Sequence, residues 1–436
     1  MDRADPGRAG GAAEETAGFD AESYLASLEP LGWRFGLERI QRLVSMLGMP
    51  QHRFASIHVV GTNGKSSVAE MTATLLEAHG TRTGVYLSPH TSRWSERVRI
   101  GGAEIEAAEF AAAVERVAQS VEVVNRSLPD GESVTQFEAA TAAAFVALAG
   151  AGVEFGVIEA GLGGRLDATN VLPSLVTALA SVGLEHTQWL GDTEEEIAAE
   201  KLAVLRNHST LVVGRVGGDV AELAARIATE RSARLVPAGE AQLDLRLAVP
   251  GAYVRRNFAV ALAAAEAAVG ALDPRRVRAV AAGLELPGRM QRLDGIPPVV
   301  LDAAHNPDGA RALAEALPEA TGDSPVVACL AMLADKDGAG VVGALAPRIE
   351  LAVCTELPAE LLAHAGRPGS SSFEAWRLAE IAAAAGLETE AFEAPEEAVR
   401  RTLALARERD AVALVSGSHY LLQYAWTERH AQSSCR

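Results

Sequence analysis

Apolar positions along the chain alternate between two rhythms. Runs of strand length are followed by stretches in which apolar residues recur at helical spacing. The clearest case is Ile57-His58-Val59-Val60, which turns through Gly61-Thr62-Asn63-Gly64-Lys65-Ser66-Ser67 into a segment with apolar residues at 68, 71, 75 and 76. Upstream, Leu37, Ile40, Leu43 and Val44 mark one face of an amphipathic helix, and helical patterning begins near Glu22. Downstream, strands are predicted at 83–87, 155–159, 175–182 and 210–213, with helices over 104–124, 139–149 and 193–205. This spacing predicts a parallel, doubly wound α/β sheet. A breaker cluster, Leu286-Pro287-Gly288-Arg289 with Gly295-Ile296-Pro297-Pro298, then interrupts the pattern. It restarts with strands at 299–302, 326–330, 351–354 and 411–415. The predicted class is α/β with two domains. A large doubly wound parallel sheet carrying the Gly-rich turn occupies 21–290, and a smaller Rossmann-like α/β domain occupies 296–436. Residues 1–20, rich in Gly, Ala and acidic side chains without periodicity, read as a disordered tail.

The 436 residues exceed what one core usually holds, about 250–300. Hydrophobic content of 49% fills two cores, but aromatics are only 5%, so Ala, Val and Leu must pack them. A net charge of −18 argues against a nucleic-acid partner and against adhesion to anionic membrane. Positive charge for an anionic ligand must then be local. Cys329, Cys354 and Cys435 are widely spaced and form no metal motif. The first two lie in apolar runs and read as buried thiols of a cytoplasmic protein. No uninterrupted apolar segment approaches the ~20 residues of a membrane-spanning helix. The N-terminus lacks the basic-then-apolar order of a signal peptide.

Strand, Gly-containing turn and helix together aim backbone N–H groups and a helix N-terminus at an anion. Lys65 adds a charge for β/γ-phosphates, and the hydroxyl after it is placed to reach Mg²⁺. The full phosphate-loop spacing requires Gly at 59, where the chain has Val59, so this turn is a shortened relative. It predicts a nucleoside triphosphate site. Ser88, Glu159 and His186 fall where strands are predicted to end. Singly they read as a turn former, a strand-end carboxylate and a surface imidazole; together, beside a phosphate turn, they read as a divalent-cation site. Lys201 sits in an acidic helix with Ile197 and Ala198 at i−4 and i−3, which offer no ion partner, and so reads as a solvated lysine. Asp302-Ala303-Ala304-His305-Asn306-Pro307 and Ser416-Gly417-Ser418-His419 end strands of the second half. They are either turn chemistry or ligand-facing residues that meet the first domain across a cleft.

These motifs, in this order, resemble the folate-ligase branch of the Mur ligases: folylpolyglutamate synthase and the bacterial bifunctional dihydrofolate synthase. The resemblance runs from about Phe35 to Tyr420. It rests on Phe35-Gly36-Leu37-Glu38-Arg39, the GTNGK turn, Ser88-Pro89-His90, Glu96-Arg97-Val98-Arg99, Pro287-Gly288-Arg289, Asp302 to Pro307 and, most specifically, the GLGGRLDATN run from Gly161 to Asn170. It implies an ATP-dependent ligase that adds L-glutamate to dihydropteroate or a reduced folate through an acyl phosphate, with one or two Mg²⁺ ions. By resemblance, Thr62, Asn63, Gly64, Lys65, Ser66, Ser67, Asn257, Arg289 and Asp302 hold ATP, and Ser88, Glu159 and His186 hold metal. Lys201 matches a lysine carried as a carbamate (N6-carboxylysine). Thr135, Gln136, Phe137 and Glu138, with Leu166, Asp167 and Ala168, match pterin contacts, and Arg34 to Gly36 form a weaker candidate segment. His305 and Ser418, with Lys65 and Lys201, are the expected catalytic residues. The implied partners are small molecules only, and the chain is expected to be a cytoplasmic monomer. Departures cluster on the glutamate side: the Thr355-Glu356-Leu357-Pro358-Ala359 segment lacks the family's arginine, and His419-Tyr420 stands where small or apolar residues are common. Two alternatives predict other features. A cell-wall Mur ligase predicts a nucleotide-binding domain of about 100 residues before the turn, where only 60 residues stand. A non-catalytic ATP-binding regulator predicts loss of Lys201, His186 or the AHNP segment, all of which are present.

Overall fold

The computed structural model describes residues 19–28, 36–239, 245–364 and 369–434. Residues 1–18 of the expected tail, the candidates Arg34 and Phe35, and Cys435 lie outside the described residues.

The first sheet contains β1 (Ala55–Val60), β2 (Thr83–Tyr86), β3 (Val98–Ile100), β4 (Ala103–Glu104), β5 (Phe155–Glu159), β6 (Val176–Leu179), β7 (Thr210–Val213) and β8 (Arg234–Pro237). Its order is β4-β3-β2-β5-β1-β6-β7-β8. Strands β2, β5, β1, β6, β7 and β8 run parallel. The central strands are buried on both faces, which is why their sequences are continuous apolar runs. One face packs under the helices Lys65–Ala78 and Ala252–Val269. The other is covered by Ala107–Asn125 and the Ala-rich Gln136–Gly150, whose small side chains allow close approach to Tyr86 and Ile158.

The second sheet contains β9 (Gln291–Leu293), β10 (Val299–Asp302), β11 (Val326–Leu330), β12 (Leu351–Thr355), β13 (Glu388–Phe392) and β14 (Val412–Ser416). Their order is β13-β12-β11-β14-β10-β9. Both sheets are parallel through their centres, as expected, and antiparallel strands are added only at their edges. Strands β3 and β4 add antiparallel to the first sheet, and β9 adds antiparallel to the second. They are too short for an alternating pattern to show in the sequence. Edge strands β8 and β13, unlike the central ones, are only partly buried and mix polar with apolar residues. Cys329 and Cys354 are buried free thiols. They face opposite sides of β11 and β12, because Cys329 pairs in register with Val353 and Cys354 with Leu330.

The loops following β1, β2, β5 and β6 converge with those following β10, β11 and β14. The C-terminal edges of the two sheets therefore face one another, as ligand-binding edges of parallel sheets do.

Candidate active site

A cavity of about 570 Å³ lies between these edges, lined from the first sheet by Gly61 to Ser66, Ser88, Glu159 and Lys201 and from the second by His305, Lys336 and Ser418. Its floor is the turn after β1. Ser181 locks that turn: its carbonyl accepts from Thr62 N (2.9 Å), and its hydroxyl accepts from Asn63 N (2.9 Å) and donates to Asn63 O (2.8 Å). Thr62 Oγ1 donates to Gly183 O and accepts from Gly183 N, both at 3.1 Å. Gly64 has φ +83°, and a Cβ there would lie 2.6 Å from Asn257 Oδ1, so only glycine fits. Gly64 caps the helix Lys65–Ala78 without a side chain, leaving the first N–H groups to face the cavity. Lys65 Nζ donates to Gly61 O (3.1 Å) and Thr62 O (3.0 Å), which places a cation inside the turn. Ser66 lines the cavity, whereas Ser67 is buried in the helix.

Glu159 closes β5. Its Oε1 accepts from Ser66 Oγ (3.0 Å) and its Oε2 from Ser88 N (3.0 Å). Burial pushes this carboxyl up to about 7, opposed by Lys65, the Ser88 and Ser66 hydrogen bonds and Arg289. His186 shares the cavity but lies well beyond the end of β6, in a left-handed residue at φ +53°. Burial, with Lys336 nearby, brings its imidazole down to about 4, so it stays neutral and able to ligate. Among the described residues no group of three or more His, Cys, Asp and Glu is set to hold an ion. The donors gathered here are instead a carboxylate, hydroxyls and one imidazole. That mixed set fits a cation that takes its remaining ligands from phosphate oxygens and water, as Mg²⁺ does.

The reading of Lys201 as a solvated helix residue is overturned. It is only 4% exposed, on the helix Glu194–Leu202. The GLGGR loop seals it in: a Cβ on Gly164 would lie 2.6 Å from Lys201 O and 2.8 Å from Glu200 O. Burial, with the charge of Lys65, brings its ammonium down to about 7, against Glu185, Asp167 and Glu200. The side chain is thus available as a neutral amine near neutral pH.

From the second sheet, Asp302 Oδ2 accepts from Tyr253 OH (2.6 Å) and Met290 N (2.9 Å), and its Oδ1 from Ala304 N (2.9 Å). Arg289 donates to His419 Nε2 at 2.9 Å. Asn306 caps the helix Pro307–Thr321 through Gly309 N (2.8 Å). It also exchanges amide hydrogen bonds with Asn63 of the phosphate turn, at 2.9 and 3.2 Å. Ser418 Oγ accepts from Tyr420 N (3.2 Å) and lines the cavity.

Sequence reasoning passed over the charge cluster that joins the two edges. Lys336 Nζ donates to Glu185 Oε1 (2.9 Å), and His305 Nε2 lies 3.4 Å from the same oxygen. Burial opposes ionisation of Glu185, but His305, Lys336 and His186 hold its carboxyl well below the usual range. The run Asp335-Lys336-Asp337 directly after an apolar strand was the available signal. Arg97, seen only as part of a motif, was given no role: it lines the cavity, donates Nε–H to His90 Nδ1 (2.8 Å) and stacks 4.1 Å over Trp94.

The expected pterin contacts divide. Phe137, Gly161 to Gly163 and Asp167 line the cavity. Thr135 and Glu138 are spent on a capping box, Glu138 also takes both hydrogen bonds of Arg39 Nε (3.1 Å), and Gln136 anchors Leu25 O (3.0 Å). Leu166 is 40% exposed and Ala168 is buried beneath the loop, and neither is among the cavity's lining residues.

Known proteins resemble this chain over most of its length. The family described as "Mur ligase, glutamate ligase domain" matches residues 288–419. The dihydrofolate synthase/folylpolyglutamate synthase of Mycobacterium tuberculosis is 34% identical over 382 residues, covering 79% of this chain and 77% of the relative. The Escherichia coli enzyme solved with DHPP and ADP superposes with a TM-score of 0.82 at 28% identity, covering 94% of this chain and 97% of that one. The bifunctional folylpolyglutamate synthase/dihydrofolate synthase of Yersinia pestis, solved with AMPPNP and Mn, gives 0.79 at 30% identity, covering the same shares.

Proposed function

This chain belongs to the dihydrofolate synthase/folylpolyglutamate synthase family, and we propose that its cavity joins L-glutamate to the carboxylate of dihydropteroate or of a reduced folate at the expense of ATP. The observation that carries this reading is the meeting, in one cavity, of the Lys65 phosphate turn with His305, Lys336 and Ser418 of the second sheet. The ATP half is taken as residues 21–290 and the glutamate half as 296–436.

In this reading the turn N–H groups and Lys65 hold the β- and γ-phosphates, with Asn257, Arg289 and Asp302 around the nucleotide. Ser66, Ser88, Glu159 and His186 hold Mg²⁺, which when bound offsets phosphate charge. Lys201, as a neutral amine at the cavity wall, bonds through its nitrogen to CO₂ and releases one N–H proton to solvent, and the resulting carbamate presents two oxygens in place of an ammonium. Phe137 and the Gly161–Asp167 loop orient the acceptor so that its carboxylate attacks the γ-phosphorus and ADP leaves. The glutamate amine, on the side of His305 and Ser418, then attacks the acyl carbon and phosphate departs. Lys65 and Arg289 stabilise the negative charge that builds during transfer.

Phosphate release with dihydropteroate or tetrahydrofolate, with and without L-glutamate, tests the reading. Sustained release that needs both acceptor and glutamate is expected, and equal release without them overturns it. Among the described residues no helix is long and apolar enough to cross a membrane. The same reading takes the chain as a cytoplasmic monomer. Light scattering should then return a mass near 45.5 kDa, and a multiple of it removes the monomer.

A further inference from the structure

His58 lies on β1 just before the phosphate turn and is fully buried. No step above uses it. Its Nε2 is 2.8 Å from Thr169 Oγ1. Thr169 Oγ1 is hydrogen-bonded in turn to Asp167 Oδ1. The Asp167 carboxylate already accepts from Leu162 N (2.8 Å), Thr169 N (2.9 Å) and Gly161 N.

Counting protons fixes the direction of this chain. Burial raises the Asp167 carboxyl, opposed by the hydrogen bonds from Thr169, Leu162 and Gly161; with these backbone N–H groups all donating to it, the carboxyl accepts, and the single hydroxyl proton of Thr169 goes to it. The Thr169 oxygen must then accept from His58, which requires the Nε2–H tautomer. Burial lowers the His58 imidazole to about 3, so it is a neutral ring whose Nδ1 is a lone-pair acceptor. Nδ1 has no partner among the described residues. The register neighbour on β6, Thr177, also has an unpartnered hydroxyl, as does Ser56 on the same face of β1. The chain therefore begins among buried polar groups of the sheet and ends at the cavity wall.

What it holds is the loop from Gly161 to Asn170. A Cβ on Gly161 would lie 2.6 Å from Phe137 Cζ, and Gly164 sits against the Lys201 backbone. One loop conformation thus sets the wall facing Phe137 and the seat of Lys201. We propose that His58 is a positioning residue for acceptor binding: its Nε2–H directs the Thr169 hydroxyl onto Asp167 and holds the 161–170 loop in its cavity-lining form. The acceptor part of this statement rests on the function proposed above; the loop part does not.

Glutamine keeps a donor near the position of Nε2, and leucine keeps bulk without one. His58→Leu and Thr169→Val should each raise KM for the pterin acceptor about tenfold, the worth of one hydrogen bond, with KM for ATP moving less than about twofold because the phosphate turn is held by its own hydrogen bonds to Ser181 and Gly183. His58→Gln and Thr169→Ser should stay within about threefold of wild type, since each retains its hydrogen bond. The His58→Leu/Thr169→Val double variant should be no worse than either single, because both cut one chain. Amide exchange at Leu162 and Thr169 should quicken in His58→Leu and not in His58→Gln, whatever acceptor the site takes. Equal exchange in the two variants, or acceptor and ATP constants rising together, overturns the positioning role. Should His58→Leu not fold, the Thr169→Val and Thr169→Ser pair decides by the same readouts. A wild-type enzyme inactive with every pterin acceptor instead overturns the functional reading, and the exchange contrast still judges the loop.

Discussion

Lys201 joins the acidic helix Glu194–Leu202 to the cavity, and burial has brought its ammonium down to about 7 from 10.5. The proposed carbamate needs that neutral amine. Lys201→Ala should therefore turn over at less than about 1% of wild type, the scale of losing one preorganised group in a site. Acetate should partly restore the rate by filling the vacated space. Near-normal turnover with no acetate effect would return Lys201 to a structural role. The same shift has a stability consequence. Between about 7 and 10.5 the unfolded chain holds a proton at Lys201 that the native chain lacks, so this group adds stability as pH rises through that window and withdraws it as pH falls. Lys201→Met, without CO₂ or substrates, should resist urea better than wild type at pH 7 and lose most of that advantage near pH 10; a constant difference refutes it. Glu159, buried at about 7, is argued to hold Mg²⁺ with Ser66 and Ser88. Glu159→Gln should raise the Mg²⁺ concentration for half-maximal rate at least about tenfold, one charged ligand's worth, and a superimposable titration removes it from the metal site. None of this is visible in the residues flanking Lys201, because Gly164 and Lys65, which bury and bias it, are remote in sequence.

At the scale of elements, legibility followed burial. The strands at 155–159 and 210–213 stand where their apolar runs place them, since a strand covered on both faces leaves no polar alternation to misread. The two-residue β4 and three-residue β3 and β9 carry too little pattern, and pairing with a neighbour rather than propensity makes them strands. The Gly61–Ser66 turn was readable because its chemistry is local: two glycines, a lysine and a hydroxyl between a strand and a helix. The capping box of Thr135 and Glu138 is local and three residues apart, whereas the Arg39 side chain that also holds Glu138 comes from another helix and leaves no mark in that segment. The glycines of the 161–164 loop were legible as a motif and opaque as packing. Gly164 has an ordinary backbone angle, yet a Cβ there meets helix backbone that has no rotamer to yield. Gly164→Ala should then displace Lys201 without touching any substrate group. It should lower kcat at least about tenfold, since small misplacements in a site are costly, while leaving the affinity for an ATP analogue within about twofold. Unchanged kcat in a folded Gly164→Ala protein would mean the loop yields freely.

Across the whole molecule, the second sheet reaches the first through polar contacts that no local pattern contains. Asn63 pairs with Asn306, and Lys336 pairs with Glu185 beside His305 and His186. The Lys336 and Glu185 side chains are 10% and 14% exposed, so their pairing has little screening by solvent. Removing one partner of such a pair strands the other charge, at about 3–5 kcal/mol, whereas replacing both with apolar groups is often neutral. This asymmetry separates a clasp from a site. Lys336→Met and Glu185→Leu should each lower the unfolding free energy by about 3 kcal/mol. The double variant should recover most of that loss. Turnover should stay low in all three, because Lys336 and His305 face the cavity and Glu185 orients both. Urea unfolding and steady-state rates on the same four proteins decide it. If turnover returns with stability in the double variant, the cluster only holds the sheets together; if stability returns alone, its charges belong to the glutamate side of the reaction.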